Sequence, residues 1–167
     1  EYTRWVDVLG VATIGALNAR ILGGGGGDLI KIAEAFHEKK LANIADQIAE
    51  ANETGGGRIV LISGPSSSGK TTFAKRLSIQ LRILGMHPVV ISLDDYFVNR
   101  EQTPKDEKGE YDYEALEAID IELFNKQLMQ LLNGEVVEVS RYDFITGKRV
   151  FDGNRLKMDD RSVIIIE

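Results

Sequence analysis

The chain has 167 residues, of which 43% are hydrophobic, and this is enough apolar material for one domain with its own core. A formal net charge of -6 argues against a general nucleic-acid binder, and no apolar run approaches the roughly 20 residues that span a bilayer. The absence of cysteine excludes disulfides and thiolate metal sites. We therefore expect a cytoplasmic protein without a nucleic-acid or membrane partner.

Residues 1–54 are predicted to form an N-terminal extension ahead of the main domain. The five consecutive glycines at 23–27 are typical of a flexible linker. A helix is predicted from Asp28, as its N-cap, to about Glu53, because apolar residues recur along one stripe of it. We interpret this helix as a packing element. A dimer interface is the alternative, so a homo-oligomer stays open.

A strand, a loop and a helix are predicted in succession at the start of the main domain, residues 55–167. The run at 58–63 is apolar and rich in β-branched residues, which suits a strand buried on both faces of a parallel sheet. Apolar residues then recur at helical spacing from Phe73 to Leu84, and Gly85 supplies a stop signal.

The loop between that strand and helix carries the most informative motif in the chain. Residues 64–71 read GPSSSGKT and match G-x-x-x-x-G-K-[ST], the phosphate-binding loop of nucleotide-dependent enzymes. We expect Lys70 to reach the β- and γ-phosphates of ATP and the Thr71 hydroxyl to bind Mg²⁺. The predicted nucleotide-binding residues are Gly64, Ser66, Ser67, Ser68, Gly69, Lys70, Thr71 and Thr72.

The remaining elements alternate between strands and helices. The predicted elements are a strand at 87–93, a mobile loop at 99–109, a helix capped by Asp120 and stopped at Asn133-Gly134, a short strand at 136–139, a hairpin within 141–154 and a buried strand at 163–167. This alternation predicts an α/β fold with a doubly wound parallel sheet, in which ligands bind at the carboxyl ends of the strands.

Three acids follow predicted strands and are candidates for chemistry. Asp94 is predicted to accept a proton from an acceptor hydroxyl and to contact the metal, and Glu167 is predicted to bind Mg²⁺ together with Thr71. The alternative for each acid is a solvated loop carboxylate, and Asp95 is left open between the two interpretations. We interpret both histidines, His37 and His87, as ordinary surface or boundary residues.

Residues 57–167 resemble the phosphoribulokinase/uridine kinase group of P-loop kinases. The resemblance is carried by five segments in the order seen in uridine kinases, namely 64–71, 92–97 (SLDDYF), 111–114 (YDYE), 141–144 (RYDF) and 163–167 (VIIIE). It implies phosphorylation of a nucleoside 5′-hydroxyl by ATP, with Asp94 as the activating acid and with Thr71 and Glu167 at a Mg²⁺ site.

The same resemblance implies an acceptor site. Asp112, with Tyr111 beside it, matches an acid that holds the ribose hydroxyls, and a carboxylate suits a vicinal diol. Tyr142 and Phe144 match aromatic residues that line the base pocket, with strand packing as their alternative.

Two departures from the family pattern bear on function. Gly147 stands where the family has a pyrimidine-reading histidine, which puts pyrimidine specificity in doubt. The chain also ends at Glu167, where we expect further strands and an arginine-bearing lid, and where a last strand in the sheet's centre would have an unpaired edge. Three interpretations stay open: a nucleoside kinase, a related kinase for a sugar phosphate or pantothenate, and a nucleotide-binding module without turnover.

Overall fold

The structure, a computed structural model, describes residues 2–167. The chain divides into two compact units, one up to Ile44 and the other from Ala45 onward. The dividing point lies within the residues of helix α3 (Gly26–Glu53). The predicted domain boundary after residue 54 stays a prediction. Within the described residues, no helix has both the length and the apolarity needed to cross a membrane.

The first unit is helical. It contains α1 (Tyr2–Val8), α2 (Ile14–Arg20), a π-helical turn at Ile21–Gly25 and the first part of α3. The predicted flexible linker is wrong, because its glycines lie in this turn and in the start of α3, with a kink at Gly24, whose φ of 81° favours glycine. Asp28 is not the N-cap. It lies in the first turn of α3, where a carboxylate still interacts favourably with the helix N-terminus.

The second unit is built on a three-stranded parallel sheet in the order β1–β7–β2, formed by β1 (Ile59–Leu61), β2 (His87–Ile91) and β7 (Ser162–Ile166). Val60 of β1 and Val90 of β2 both pair with Ile165, so the three carboxyl ends meet at one edge. Every residue of β7 is buried, as its apolar sequence predicts. The strand and helix elements confirm the predicted α/β class.

The sheet corrects two expectations. β7 is not left with an unpaired edge, because it pairs with β1 on one side and β2 on the other. β1 is not buried on both faces, because Ile59 and Leu61, which lie on the same face of the strand, are 38% and 73% exposed. Whether a face is covered depends on what packs against it, which the local sequence does not report.

Two helices accompany the sheet. α4 (Lys70–Ile83) follows the phosphate loop, buries Ala74, Leu77 and Leu81, and ends before Gly85 as predicted. Asp120 is the N-cap of α5 (Ile121–Leu132), because its side chain accepts a 3.0 Å hydrogen bond from the Leu123 N–H, so the predicted cap is confirmed. The core beside α5 includes Tyr96, Leu131, Val137, Met158, Ile164 and Ile166.

Two small antiparallel pairs complete the second unit. β3 (Val137–Glu138) pairs with β6 (Arg155–Leu156), and β4 (Arg141–Asp143) pairs with β5 (Lys148–Val150) in the predicted hairpin. The predicted loop after β2 contains a 3₁₀ turn at Arg100–Gln102. An isolated bridge joins Lys105 to Tyr111 beyond this turn. Whether the loop moves stays a prediction.

Candidate active site

The phosphate loop joins the carboxyl end of β1 to the first turn of α4. Gly69, at the N-cap of α4, has a φ of 89°, a conformation that glycine adopts without the penalty of a Cβ. A Cβ on Gly64 would lie 2.8 Å from the Ser68 Oγ, so the loop closes tightly where glycine stands. This conformation presents the exposed loop at the N-terminus of a 14-residue helix, a position that favours an anion.

The Lys70 side chain lies against the phosphate loop. Its Nζ donates hydrogen bonds to the carbonyl oxygens of Gly64, at 3.1 Å, and Pro65, at 3.2 Å. Lys70 also lines the cleft. Its ammonium group has a third proton that can be donated to another acceptor.

Thr71 and Glu167 meet although they are 96 positions apart. The Thr71 hydroxyl donates a 2.8 Å hydrogen bond to the Glu167 carboxylate. The backbone of Glu167 is held at the end of β2, because its N–H donates to the Ile91 carbonyl and its carbonyl accepts from the Leu93 N–H. A hydroxyl beside a carboxylate supplies the hard oxygen ligands that Mg²⁺ prefers, so these residues fit the ion. Residues 2–167 hold no group of three or more His, Asp or Glu arranged to bind a metal by themselves.

Asp94 lies in the 3₁₀ turn (Leu93–Tyr96) that follows β2. Burial and then repulsion by the Glu167 carboxylate raise the pKa of Asp94, while the Lys70 ammonium acts in the opposite direction. The raised pKa makes Asp94 a better proton acceptor than an ordinary aspartate.

Asp95 has a structural position. Its Oδ1 accepts a 3.1 Å hydrogen bond from the Tyr142 N–H, and its carbonyl accepts one from the Ser140 hydroxyl. These contacts hold β4 against the turn after β2. The Asp95 carboxylate therefore has a structural role that accounts for an acid at this position.

These groups line one open cleft of about 1000 Å³ at the carboxyl ends of the strands. One wall is the phosphate loop from Gly64 to Thr72, and the floor is formed at the ends of β2 and β7 by Asp94 and Glu167. The opposite wall is formed by Phe97, Arg100, Tyr113, Glu114, Ile119 and Phe144. The cleft thus brings together all the predicted nucleotide and metal residues and one predicted base-pocket residue, Phe144.

The other three predicted acceptor residues do not line this cleft. The Asp112 carboxylate accepts a 3.0 Å hydrogen bond from the Glu114 N–H. Tyr111 lies with its ring centroid 5.3 Å from the Lys105 ammonium. Tyr142 is only 3% exposed and packs edge-on against Phe97 and Phe144, so it supports the wall from behind.

Five residues of the opposite wall were not predicted as site residues from the sequence, and three of them carry polar groups, namely Arg100, Tyr113 and Glu114. Glu114 and Tyr113 belong to the YDYE segment, but nothing in that segment says which of its two acids faces the cleft. Arg100 had no motif to mark it, because it lies in a polar stretch between two recognisable segments. Its Nη2 donates to the Phe144 carbonyl at 2.6 Å and its Nε donates to the Tyr113 hydroxyl at 3.3 Å.

Gly147 faces the guanidinium of Arg100. A Cβ built on Gly147 would lie 2.7 Å from both Cζ and Nε of Arg100. The backbone φ of 69° at this position also favours glycine. The space that a side chain at 147 would need is therefore filled by Arg100.

His87 is on the surface, as expected, and has one polar partner. Its Nδ1 lies 2.7 Å from an oxygen of the Asp159 carboxylate, with both side chains more than half exposed. Hydrogen bonds from Ser162 and then His87 lower the pKa of Asp159. This pair is at the start of β2, at the opposite end of that strand from Asp94.

Sequence comparisons agree with this geometry. The sequence model described as the phosphoribulokinase / uridine kinase family matches residues 59–167. Uridine kinase from Schizosaccharomyces pombe is 35% identical over 112 residues, which are 66% of this chain and 24% of that protein. Uridine kinase from Vibrio campbellii is 34% identical over 111 residues, covering 65% of this chain and 51% of that protein. The chain thus spans about a quarter of the length of the first relative and about half the length of the second.

Solved structures share the fold. A protein described as a possible uridine kinase from Bacillus stearothermophilus superposes with a TM-score of 0.53 at 27% identity, covering 75% of this chain and 71% of that one. A candidate fructose transport system kinase from Silicibacter sp. gives a TM-score of 0.59 at 20% identity, covering 76% and 62% of the two chains. Both agree with an α/β fold of the P-loop nucleotide-binding type.

Proposed function

Because the chain belongs to the phosphoribulokinase / uridine kinase family, we propose that it phosphorylates a nucleoside 5′-hydroxyl with ATP as the phosphoryl donor. The observation that carries this proposal is the shared cleft. A phosphate loop, a carboxylate with a raised pKa and an exposed aromatic ring line the same cavity. Together they offer a place for the donor, a base for the acceptor hydroxyl and a surface for the acceptor's ring.

The donor half of the cleft would hold the triphosphate. Backbone N–H groups of residues 64–72 and the N-terminus of α4 would bind phosphate oxygens, and the Lys70 ammonium would neutralise their charge. Thr71 and Glu167 would hold Mg²⁺, which neutralises charge on the donor phosphates when bound.

The acceptor half of the cleft would prepare the nucleoside. Asp94 accepts the proton of the 5′-hydroxyl as that oxygen forms its bond to the γ-phosphorus, and the bond from the γ-phosphorus to the β–γ bridging oxygen breaks, leaving ADP. Burial and then repulsion by Glu167 raise the pKa of Asp94, so Asp94 would accept the proton while Glu167 would hold the metal.

We further propose that Glu114 binds the ribose diol. Two carboxylate oxygens can accept hydrogen bonds from two vicinal hydroxyls, and Glu114 lines the cleft. The Asp112 carboxylate is instead engaged by the Glu114 N–H and orients the turn that carries Glu114. Phe144, with 57% of its surface exposed, would stack on the base.

A second candidate is a kinase for another hydroxyl-bearing metabolite, such as a sugar phosphate or pantothenate. The observation that favours it is Arg100, because a guanidinium in the acceptor half could bind an anionic group of the substrate. A nucleotide-binding module without turnover is the third.

A product assay separates these candidates. The purified full-length protein would be incubated with Mg-ATP and, in separate reactions, with each of a panel of nucleosides, ribulose 5-phosphate and pantothenate, and phosphorylated products would be identified by mass. Nucleoside 5′-monophosphates that disappear in Asp94→Asn are the expected result. Product with another acceptor alone would establish the second candidate, and ATP binding by calorimetry without any product would establish the third.

A further inference from the structure

We infer that Arg100 selects the nucleobase, and that the cleft prefers bases with a carbonyl oxygen at the edge remote from the ribose over bases with an amino group there. This inference rests on the proposed function and deepens it. It predicts that uridine is preferred to cytidine, and inosine to adenosine.

The backbone around Arg100 is tied to the β4–β5 hairpin. The Arg100 N–H donates a 2.8 Å hydrogen bond to the Gly147 carbonyl. The side-chain oxygen of Asn99 accepts a 3.1 Å hydrogen bond from the Arg149 N–H. The 3₁₀ turn that begins at Arg100 is therefore held beside the hairpin that presents Phe144.

The guanidinium is held in a defined orientation. Its Nη2 is bound to the Phe144 carbonyl and its Nε to the Tyr113 hydroxyl. These two contacts use two of the five N–H groups of an arginine side chain. Three donors remain on a residue that lines the cleft, and one of them would bind the ligand.

Gly147 makes this orientation possible. Any larger residue at 147 would place its Cβ 2.7 Å from the guanidinium. The position of the Arg100 guanidinium therefore depends on glycine at 147, which leaves the space into which the guanidinium packs.

The neighbouring aromatic ring indicates what the guanidinium would meet. A base stacked on the exposed face of Phe144 would extend its edge toward the guanidinium that is bound to the carbonyl of that same residue. Arginine is only a donor, so it pairs with O4 of uracil or with O6 of guanine and hypoxanthine. The exocyclic amino groups of cytosine and adenine are donors, so at the position of that carbonyl oxygen they offer the guanidinium no acceptor.

The charges in the cleft favour a neutral ligand edge over an anionic acceptor. Besides the single Arg100 cation, the acceptor half carries the carboxylates of Asp94 and Glu114, and Glu167 lies beside Asp94. An anionic group on the acceptor would be repelled by these carboxylates. A neutral carbonyl oxygen would not, and it needs only a donor from Arg100.

The test compares matched nucleosides across matched variants. kcat/KM would be measured with the full-length protein for uridine, cytidine, inosine and adenosine, and binding of each nucleoside would be measured by calorimetry without ATP. Wild type should prefer each carbonyl base by about tenfold or more, the size expected when one hydrogen bond is lost and a donor is left unpaired. Arg100→Ala should bring two kcat/KM ratios, uridine to cytidine and inosine to adenosine, close to one, mainly by lowering the values for uridine and inosine.

A second pair of variants tests the same contact without altering Arg100. Gly147→Ala should displace the guanidinium and also bring the ratios close to one. Gly153→Ala is the matched control, because its φ of 84° imposes similar backbone strain while a Cβ there meets nothing within 4 Å. Its ratios should equal those of wild type.

The outcomes separate the inference from its premise. If wild type turns over all four nucleosides with both kcat/KM ratios near one, the inference is overturned and the kinase proposal stands. The same holds if wild type discriminates but the ratios are unchanged in both Arg100→Ala and Gly147→Ala. Absence of turnover and of binding for every nucleoside overturns both.

Discussion

The Thr71 hydroxyl donates a 2.8 Å hydrogen bond to the Glu167 carboxylate, and this bond joins the first turn of α4 to the end of β7. The contact arises because β7 lies between β1 and β2, so its carboxyl end opens beside the phosphate loop. It places the two proposed metal ligands together in advance of any ion.

Glu167→Gln is predicted to raise the Mg²⁺ concentration needed for half-maximal activity and to lower kcat by about 100-fold, because an amide keeps the contact with Thr71 but loses the charge. Activity would be titrated against Mg²⁺ at saturating ATP. Glu107→Gln, in the exposed loop before Tyr111, is the control and should match wild type. An unchanged Mg²⁺ dependence in Glu167→Gln would remove Glu167 from the metal site.

Lys70→Ala is predicted to weaken ATP binding and lower kcat/KM by about 100-fold, since a compact cation beside the phosphate loop is lost. Binding would be measured by calorimetry and turnover by product formation. Lys75→Ala removes an exposed cation from the same helix and should behave like wild type. Equal effects of the two substitutions would mean that Lys70 acts only through net charge.

Asp94→Asn is predicted to leave ATP affinity unchanged and to lower kcat by a factor of about 100 to 10,000, the usual contribution of a positioned base. In wild type, kcat/KM for Mg-ATP, which reports the free enzyme, should rise with pH as Asp94 loses its proton, with a midpoint above the usual aspartate value because burial and then Glu167 raise this pKa. Wild-type turnover in Asp94→Asn would exclude the proposed role.

The raised pKa of Asp94 has a consequence for stability. The folded protein holds this proton more tightly than the unfolded chain, so the free energy of unfolding should fall as pH rises from the ordinary aspartate pKa through the raised one. Above that window, Asp94→Asn should therefore have a higher melting temperature than wild type. Thermal melts of both proteins across pH would measure this, and a lower melting temperature for the variant at neutral pH would contradict it.

Glu114→Gln and Asp112→Asn distinguish the two acids of the YDYE segment. Glu114→Gln should raise KM for a ribonucleoside by about tenfold or more while leaving KM for ATP unchanged, because it removes the stronger, charged acceptor for the diol. Asp112→Asn should have a smaller effect, since an amide oxygen can still accept the Glu114 N–H. A larger KM change in Asp112→Asn would restore Asp112 as the diol ligand.

Asp120 links α5 to the hairpin and sets a further stability prediction. Its carboxylate caps α5 and lies 2.7 Å from Nη1 of Arg149 in β5. Burial opposes ionisation of Asp120, but the hydrogen bonds from Leu123 and Arg149 outweigh it and lower the pKa. This contribution is fully present above the ordinary aspartate pKa and is lost as pH falls through the lowered value.

Asp120→Ala should therefore cost about 1 kcal/mol through the lost cap, with a further loss from Arg149, and should flatten the acid limb of the stability curve. Asp120→Asn keeps a capping oxygen and should recover part of the loss at neutral pH. Urea denaturation at several pH values would measure both, and equal stability of the two variants would show that the cap contributes nothing.

Elements with strong local signals could be predicted from the sequence. The phosphate loop, the Asp120 cap and the buried strand ending at Glu167 each depend on residues close together in the chain, and each has the predicted structure. The flexible linker predicted from the glycine run was wrong, because the glycines lie in a helical turn and in the start of α3. A local composition signal did not account for the helices on both sides. The exposure of one face of β1 depends on what packs against that face, which a local pattern does not contain.

The opposite wall of the cleft shows why other site residues could not be predicted. Arg100, Tyr113 and Phe144 meet through hydrogen bonds between segments 13 and 44 positions apart. Asp112 and Glu114 are chemically similar and two residues apart, so only the turn geometry decides which one faces the cleft.

By itself, the sequence of this protein determined a nucleotide-type phosphate loop on an α/β scaffold and the acids that follow its strands, because those features are encoded by contiguous residues and short-range periodicity. The tertiary structure decided which residues share the cleft. Strand order brought Glu167 to Thr71, and the packing of Arg100 against Gly147 determined which side chain lines the far wall. These contacts depend on the relative positions of distant segments, and no single segment of the sequence contains that information.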